Sequence, residues 1–133
     1  MVFFIDFPLD QAAFNASKLL HCVNSKKQLK LLDTIYENQK KWVDGVDIEE
    51  INSNLKKMVK NLGINSDQFD KCLHDEVVSD KILNARITAQ KKYSINSTPT
   101  IIINEKKLHR HGSFKNIKKK KERLIKHIEF KKL

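Results

Sequence analysis

The sequence predicts a mixed α/β domain in which a run of helices is inserted between short strands. Two apolar segments indicate strands, residues 2–7 and residues 100–103. Between them, apolar side chains recur at the spacing of amphipathic helices over most of residues 10–93. At 133 residues, the chain is long enough for one domain with a buried core.

The first strand and the first two helices follow from local patterns. Residues 2–7 alternate β-branched and aromatic side chains, and Pro8 ends the strand. Asp10 is placed to cap the first helix. A second helix is predicted from about Lys27 to Trp42. Its inward side is predicted to carry Leu29, Leu32, Ile35, Tyr36 and Gln39.

Three further helices are predicted before the second strand. Asp47 begins an Asp-x-x-Glu capping box, and Gly63 ends the apolar stripe that follows it. Ser66 is placed to cap the next helix, with Phe69 and Cys72 facing inward. A long helical pattern then runs to about Tyr93, with a break allowed near residues 79–80. Its inward positions are predicted to be Val77, Ile82, Ala85 and Ala89.

The segment from Ser97 to Asn104 is the most informative stretch of the chain. The run at 100–103 is typical of a short, fully buried strand. Pro99 has no N–H to donate to a ladder, so it must lie at the strand's start or in a bend before it. A turn at Asn104-Glu105, a strand near 107–110 and a last helix from about Phe114 complete the order.

The net charge of +10 lies almost entirely in the C-terminal tail. Residues 105–133 carry twelve Lys and Arg against three acids. A nucleic-acid or membrane-surface patch is one interpretation, and a solvated helix face is the other. The tail has few interleaved aromatic residues and no nucleic-acid motif, which favours the solvated face. No apolar run approaches membrane-spanning length, and the first residues lack the pattern of a signal peptide.

Three segments resemble the DsbA family of thioredoxin-fold disulfide oxidoreductases, in its shorter Com1-like branch. They are Phe7-Pro8-Leu9-Asp10, the Phe-Asp-Lys-Cys-Leu run at 69–73, and residues 95–106 around Thr98-Pro99. The resemblance implies an incomplete thioredoxin-like fold with an inserted helical subdomain. The chain 1–133 would then be a single partial domain. Its helical insertion would span about 10–93, and the cis-Pro hairpin with the last helix about 97–130.

The resemblance also implies a function for the Thr98-Pro99 pair. In the family a cis proline helps to bind cysteine-containing exported polypeptides, which places Thr98 and Pro99 in a substrate-binding role in the periplasm. No cofactor is implied. The family's Cys-x-x-Cys segment would precede Met1 and is not in this sequence, so no catalytic residue is assigned. Glu105 stands where the family's turn usually has Gly.

The other candidate residues favour structural roles. Cys22 and Cys72 are fifty positions apart on apolar helix faces, and we interpret them as separate core thiols rather than a redox pair or a disulfide. His109 and His111 lack a third ligand, so no metal site is expected. His21 and His74 have no nucleophile to serve, and Tyr36 and Trp42 are predicted to pack between helices.

Three hypotheses for function stay open at this point. The first is a disulfide oxidoreductase remnant or gene fragment, inactive by itself, that an upstream fragment complements. The second is a small basic binding protein whose Lys-rich tail contacts nucleic acid or anionic surfaces, with nucleic acid disfavoured. The third is a redox-dead module that binds peptides. Family resemblance predicts the periplasm, whereas the chain as written, without a signal peptide, predicts the cytoplasm.

Overall fold

The computed structural model describes residues 3–108, 118–119 and 122–123. The chain divides into two compact units, Met1–Ile87 and Thr88–Leu133, with the boundary inside a helix. The helices are α1 (Gln11–His21), α2 (Ser25–Glu37), α3 (Gln39–Trp42), α4 (Ile48–Lys60), α5 (Ser66–Leu73) and α6 (Glu76–Tyr93). The strands are β1 (Ile102–Ile103) and β2 (Lys106–Lys107). Residues 118–119 and 122–123 are helical, and the rest of the predicted last helix lies outside the described residues.

Side-chain caps set the starts of the helices. The Asp10 carboxylate accepts from the Ala13 N–H at 2.7 Å, which confirms the predicted start of α1. The Asp47 carboxylate likewise accepts from the Glu50 N–H at 2.8 Å at the start of α4. Glu50 reaches back to the N–H of Val46 at 3.0 Å, one residue earlier than a standard capping box requires.

The start of α5 differs from the prediction by one residue. Asn65 caps this helix, and Ser66 is its first residue. The Asn65 side chain accepts from the Gln68 N–H at 2.9 Å, and the Gln68 side chain accepts from the Asn65 N–H at 3.0 Å. This reciprocal pair satisfies two otherwise unpaired donors, and Ser66 has no Glu or Gln at the matching position to form one.

The core of the first unit lies where α1 packs against α2, α4 and α5. Apolar side chains from every helix between α1 and α5 meet there. They are Ala16, Leu19, Leu31, Ile35, Trp42, Leu55, Val59, Ile64, Phe69 and Cys72. Trp42 also donates its indole N–H to the Ile35 carbonyl at 2.8 Å, so its one polar group is satisfied inside the core.

Some predicted inward positions face solvent instead. The predicted helix from Lys27 to Trp42 is interrupted at Asn38, whose side-chain amide donates to the Thr34 carbonyl at 2.9 Å. Tyr36 is 68% exposed, so the prediction that it packs between helices is wrong, whereas Trp42 is buried as predicted. Leu29 and Val77 are exposed too. The apolar stripe of a helix can be wider than the strip that neighbouring helices cover, so residues at the border of the stripe face solvent.

The predicted strand at 2–7 does not form among the described residues. Residues 3–7 have no ladder partner, and Phe4 is 81% exposed. A strand exists only where a second strand satisfies its backbone groups, and alternation alone does not supply that partner. Side chains hold the segment instead: Asp6 lies 2.6 Å from His21 Nε2, and the Arg86 guanidinium lies 5.3 Å from the centre of the Phe7 ring.

The sheet described in the second unit is a two-stranded antiparallel hairpin. Ile102 pairs with Lys107 and Ile103 with Lys106, and the Leu108 N–H donates to the Ile101 carbonyl at 2.8 Å. The predicted strand at 100–103 is therefore shorter than expected, and its side chains are half-buried rather than fully buried. Among the described residues β1 has a strand on one edge only, so its side chains are less covered than those of a central strand.

Candidate functional site

Cys22 and Cys72 form a disulfide, which overturns the prediction that they are separate core thiols. Their Cα atoms are 6.0 Å apart, across a sequence separation of 50 residues. Cys22 is the C-cap of α1, and Cys72 lies on the buried face of α5. The packing of α1 against α5 brings the two sulfurs together, so the absence of a redox pair is not confirmed.

The two sulfurs lie in different surroundings. Cys22 is exposed, whereas Cys72 is 3% exposed and belongs to the core. The Cys72 sulfur lies 3.2 Å from the Lys18 carbonyl oxygen, a distance at which a reduced thiol would donate a hydrogen bond. The pair is therefore asymmetric, with one sulfur near solvent and one anchored in the core.

A pocket of about 160 Å³ adjoins the disulfide. Both cysteines line it, together with polar groups from the start of α2 and α5, Asn24, Lys27 and Gln68. Gly63 also lines it with a φ of +81°, and a methyl group added there would lie 3.7 Å from Lys27 Nζ. The pocket thus offers a cationic side chain beside a disulfide.

A buried lysine lies behind the pair. Lys18 is only 7% exposed, donates to the Leu73 carbonyl at 2.8 Å and lies 4.3 Å from the centre of the Phe14 ring. Burial lowers the pKa of its ammonium group. The Leu73 carbonyl is one of the unpaired acceptors at the end of α5, so Lys18 ties α1 to α5 beside the disulfide.

Thr98 and Pro99 lie in the second unit, and the bond between them, expected to be cis, is cis. Both residues are exposed. The Thr100 hydroxyl donates to the Ser97 carbonyl at 2.7 Å and closes the bend before β1. Within the described part of this unit, the backbone groups of Thr98 bond to no other backbone group. The bend therefore presents at the surface a peptide unit that no backbone group of the described residues engages.

The turn after β1 keeps its tight form although it lacks glycine. Asn104 and Glu105 have φ angles of +48° and +63°, the left-handed region that a two-residue hairpin of this type requires. The Glu105 carboxylate bonds to Lys92 at 2.5 Å and accepts from the Tyr93 hydroxyl at 3.1 Å. These two contacts hold the Glu105 side chain in place, although glycine would adopt this positive φ with less backbone strain.

Acid is expected to loosen this hairpin. The hydrogen bonds from Lys92 and then Tyr93 lower the pKa of Glu105 from its ordinary value of 4.5. The contribution of Glu105 to stability is therefore complete above pH 4.5 and falls as the pH drops through the lower folded-state pKa. Hydrogen exchange at the Leu108 amide should show lost protection in that acid range. Glu105→Gln should not show this acid-dependent loss of protection. If the variant loses protection over the same pH range as wild type, Glu105 is not the group responsible.

The histidines and acids of the described residues form no metal cluster. His74 caps α5 and donates from Nδ1 to the Asp70 carbonyl at 2.8 Å, while His21 pairs with Asp6. His109 and His111 lie outside the described residues. The helices of the described residues include none that is long and apolar enough to span a membrane.

Sequence reasoning found the Thr98-Pro99 bend and missed the disulfide. The bend is visible locally, because a proline directly precedes a β-branched run. The disulfide depends on which helix faces meet, and the spacing of the cysteines does not contain that information. One signal was present: Cys22 and Cys72 both follow apolar helical stripes, and such stripes are buried against one another.

Comparison with known proteins places this architecture. No curated protein gives a significant match. Among solved structures, a protein-disulfide isomerase from Novosphingobium aromaticivorans matches with a TM-score of 0.73 and 15% identity. The match covers 84% of this chain and 67% of that chain. It shows a thioredoxin-like fold with mostly helical content and a small sheet. A family model described as thioredoxin matches residues 1–121, and the chain therefore belongs to the thioredoxin family.

Proposed function

We propose that this chain docks cysteine-containing polypeptides for thiol–disulfide exchange, as a DsbA-like member of the thioredoxin family. The observation that carries the proposal is the Thr98-Pro99 bend, which is exposed and shortly precedes β1 in the chain. Among the described residues β1 pairs only with β2, so its other edge is available to an added strand. An extended polypeptide can bind such an edge through main-chain hydrogen bonds, whatever its sequence.

The partners and the compartment follow from the same chemistry. Binding through main-chain groups suits unfolded substrates, and exported polypeptides present cysteines in that state. Disulfides persist in oxidising compartments such as the periplasm, and the Cys22–Cys72 disulfide is consistent with one. The expectation that the isolated chain is inactive rested on two thiols out of reach of each other, and the Cys22–Cys72 disulfide removes that reason.

Removing one backbone donor tests the docking directly. Thr98→Pro deletes the Thr98 N–H, and Thr98→Ser keeps it at similar size. We expect Thr98→Pro to weaken binding of a fluorescent extended peptide about fivefold, the contribution of one backbone hydrogen bond. Fluorescence anisotropy measures the affinity, and protection of the Leu108 amide verifies that the hairpin is intact. Equal affinities for the two variants, with the hairpin intact, would argue against docking at Thr98.

A further inference from the structure

The disulfide offers one accessible sulfur and one inaccessible sulfur. Cys22 is exposed at the C-terminus of α1, whereas Cys72 is buried in α5 against the Lys18 carbonyl. We propose that Cys22 Sγ is the atom at which external thiols exchange with this disulfide, assisted by Lys27. This inference does not rest on docking at Thr98-Pro99, which lies in the other unit.

The pocket gives an incoming thiolate room and a positive charge. It measures about 160 Å³ and has both cysteines and Lys27 in its lining. Gly63 has no side chain to fill the space near the Lys27 ammonium group. A thiolate is the reactive form of a thiol, and a nearby ammonium group favours the thiolate over the thiol. The Lys27 ammonium group therefore attracts the incoming thiolate, and it also stabilises the thiolate that Cys22 becomes when it is released.

Low-molecular-weight thiols are the co-reactant of the exchange at Cys22, and they supply the two electrons that reduce the protein disulfide. A thiolate attacks Cys22 Sγ, a mixed disulfide forms, and the Cys22–Cys72 bond breaks with its electron pair moving to Cys72. Cys72 takes a proton from water, and its thiol can donate to the Lys18 carbonyl 3.2 Å away. A second thiolate then attacks the external sulfur and releases Cys22. Two external thiols become one disulfide, and the protein disulfide becomes two thiols.

The reverse reaction uses the same atoms and is simpler to measure. In the reduced protein, Cys22 attacks oxidised glutathione and carries the mixed disulfide, which Cys72 then resolves. Burial keeps Cys72 from reacting first, because solvent thiol reagents reach only exposed sulfur. The mixed disulfide at Cys22 is thus the expected intermediate in both directions.

Single-cysteine variants of the full chain test the choice of sulfur. Cys72→Ser leaves Cys22 alone and keeps a hydroxyl that can donate to the Lys18 carbonyl, and Cys22→Ser leaves Cys72 alone. With oxidised glutathione as the probe, we expect Cys22 to react at least about tenfold faster than Cys72 in the folded proteins. In concentrated urea the two rates should converge, because burial no longer separates them. Acid quenching and peptide mass mapping of reduced wild-type chain should place the first adduct on Cys22.

Lys27 is tested against a neighbouring lysine of the same helix. Lys27→Gln should slow the reaction at Cys22 on the order of threefold, the size expected for the loss of one solvent-screened charge from the pocket that Cys22 lines. Lys26→Gln removes the same charge outside the pocket lining and should leave the rate near that of wild type. Equal effects of the two variants would refute the role of Lys27. Equal rates at Cys22 and Cys72 in the folded proteins, or a first adduct on Cys72, would overturn the assignment of Cys22.

Discussion

Removing the disulfide by Cys22→Ser together with Cys72→Ala is expected to lower the free energy of unfolding by about 2–4 kcal/mol. The bond closes a segment of 50 residues that contains α2, α3 and α4. Such a closure restricts the unfolded chain, and the loss on removal grows with the length of the closed segment. A change of this size is a large part of the total stability of a small domain.

Urea denaturation followed by far-UV circular dichroism measures this effect. Adding a reductant to wild-type protein should reproduce most of the loss, and adding it to the double variant should change nothing. Alanine at position 72 avoids a buried hydroxyl, so the variant reports the bond rather than an added polar group. Equal stability of wild type with and without reductant would contradict the disulfide as a stabilising element.

The stabilising effect also bears on the direction of exchange at Cys22. Thermodynamic linkage is reciprocal, so a disulfide that stabilises the fold is stabilised by the fold to the same extent. In the folded chain the disulfide is therefore harder to reduce than in the unfolded chain. At equilibrium, exchange at Cys22 should consequently favour the disulfide form of the folded chain. The reduced pair in the folded chain should therefore be a stronger reductant than the same two thiols in the unfolded chain.

Phe69→Ala is expected to lower the free energy of unfolding by about 3–5 kcal/mol. Phe69 is 2% exposed and is one of the largest fully buried side chains of the first unit. Truncating it leaves a cavity between helices that can collapse only partly, so the loss includes both the transfer of the ring to water and the cavity itself. The Lys56 ammonium group, 5.6 Å from the ring centre, would also lose its aromatic neighbour.

Tyr36→Ala is the matched control for this variant. Tyr36 is an aromatic residue on an outer helix face and is exposed, so its removal should change stability by less than about 0.5 kcal/mol. The same urea titration compares the two variants. A loss from Tyr36→Ala as large as that from Phe69→Ala would show that the core is not centred on the helix faces that bury Phe69.

Helices were predictable because their signals are local. Asp10 and Asp47 cap the helices that the sequence assigned to them, since a cap needs only a carboxylate and N–H groups two to three residues away. The error at α5 was of the same local kind. Asn65 and Ser66 are both good caps, and the reciprocal bond with Gln68 decided between them.

Features that need a distant partner were less predictable. Residues 3–7 have the alternation of a strand and are not one, because no second strand among the described residues pairs with them. The Cys22–Cys72 bond was missed because the packing of α1 on α5 brings the two cysteines together, and the local sequence around each cysteine does not show that packing. Of the two candidate sites, Thr98-Pro99 was visible in the sequence and the disulfide was not.

Amide NMR of the full chain, titrated with a short extended peptide, tests the docking proposal most directly. Serine replaces cysteine in the peptide, so that only non-covalent binding is observed. The largest shift changes are expected on the amides of Thr98, Thr100 and Ile102, because an added strand bonds along the edge of β1 that faces away from β2. Changes confined to the exposed residues 3–7, or to the pocket beside Cys22, would contradict docking at Thr98-Pro99.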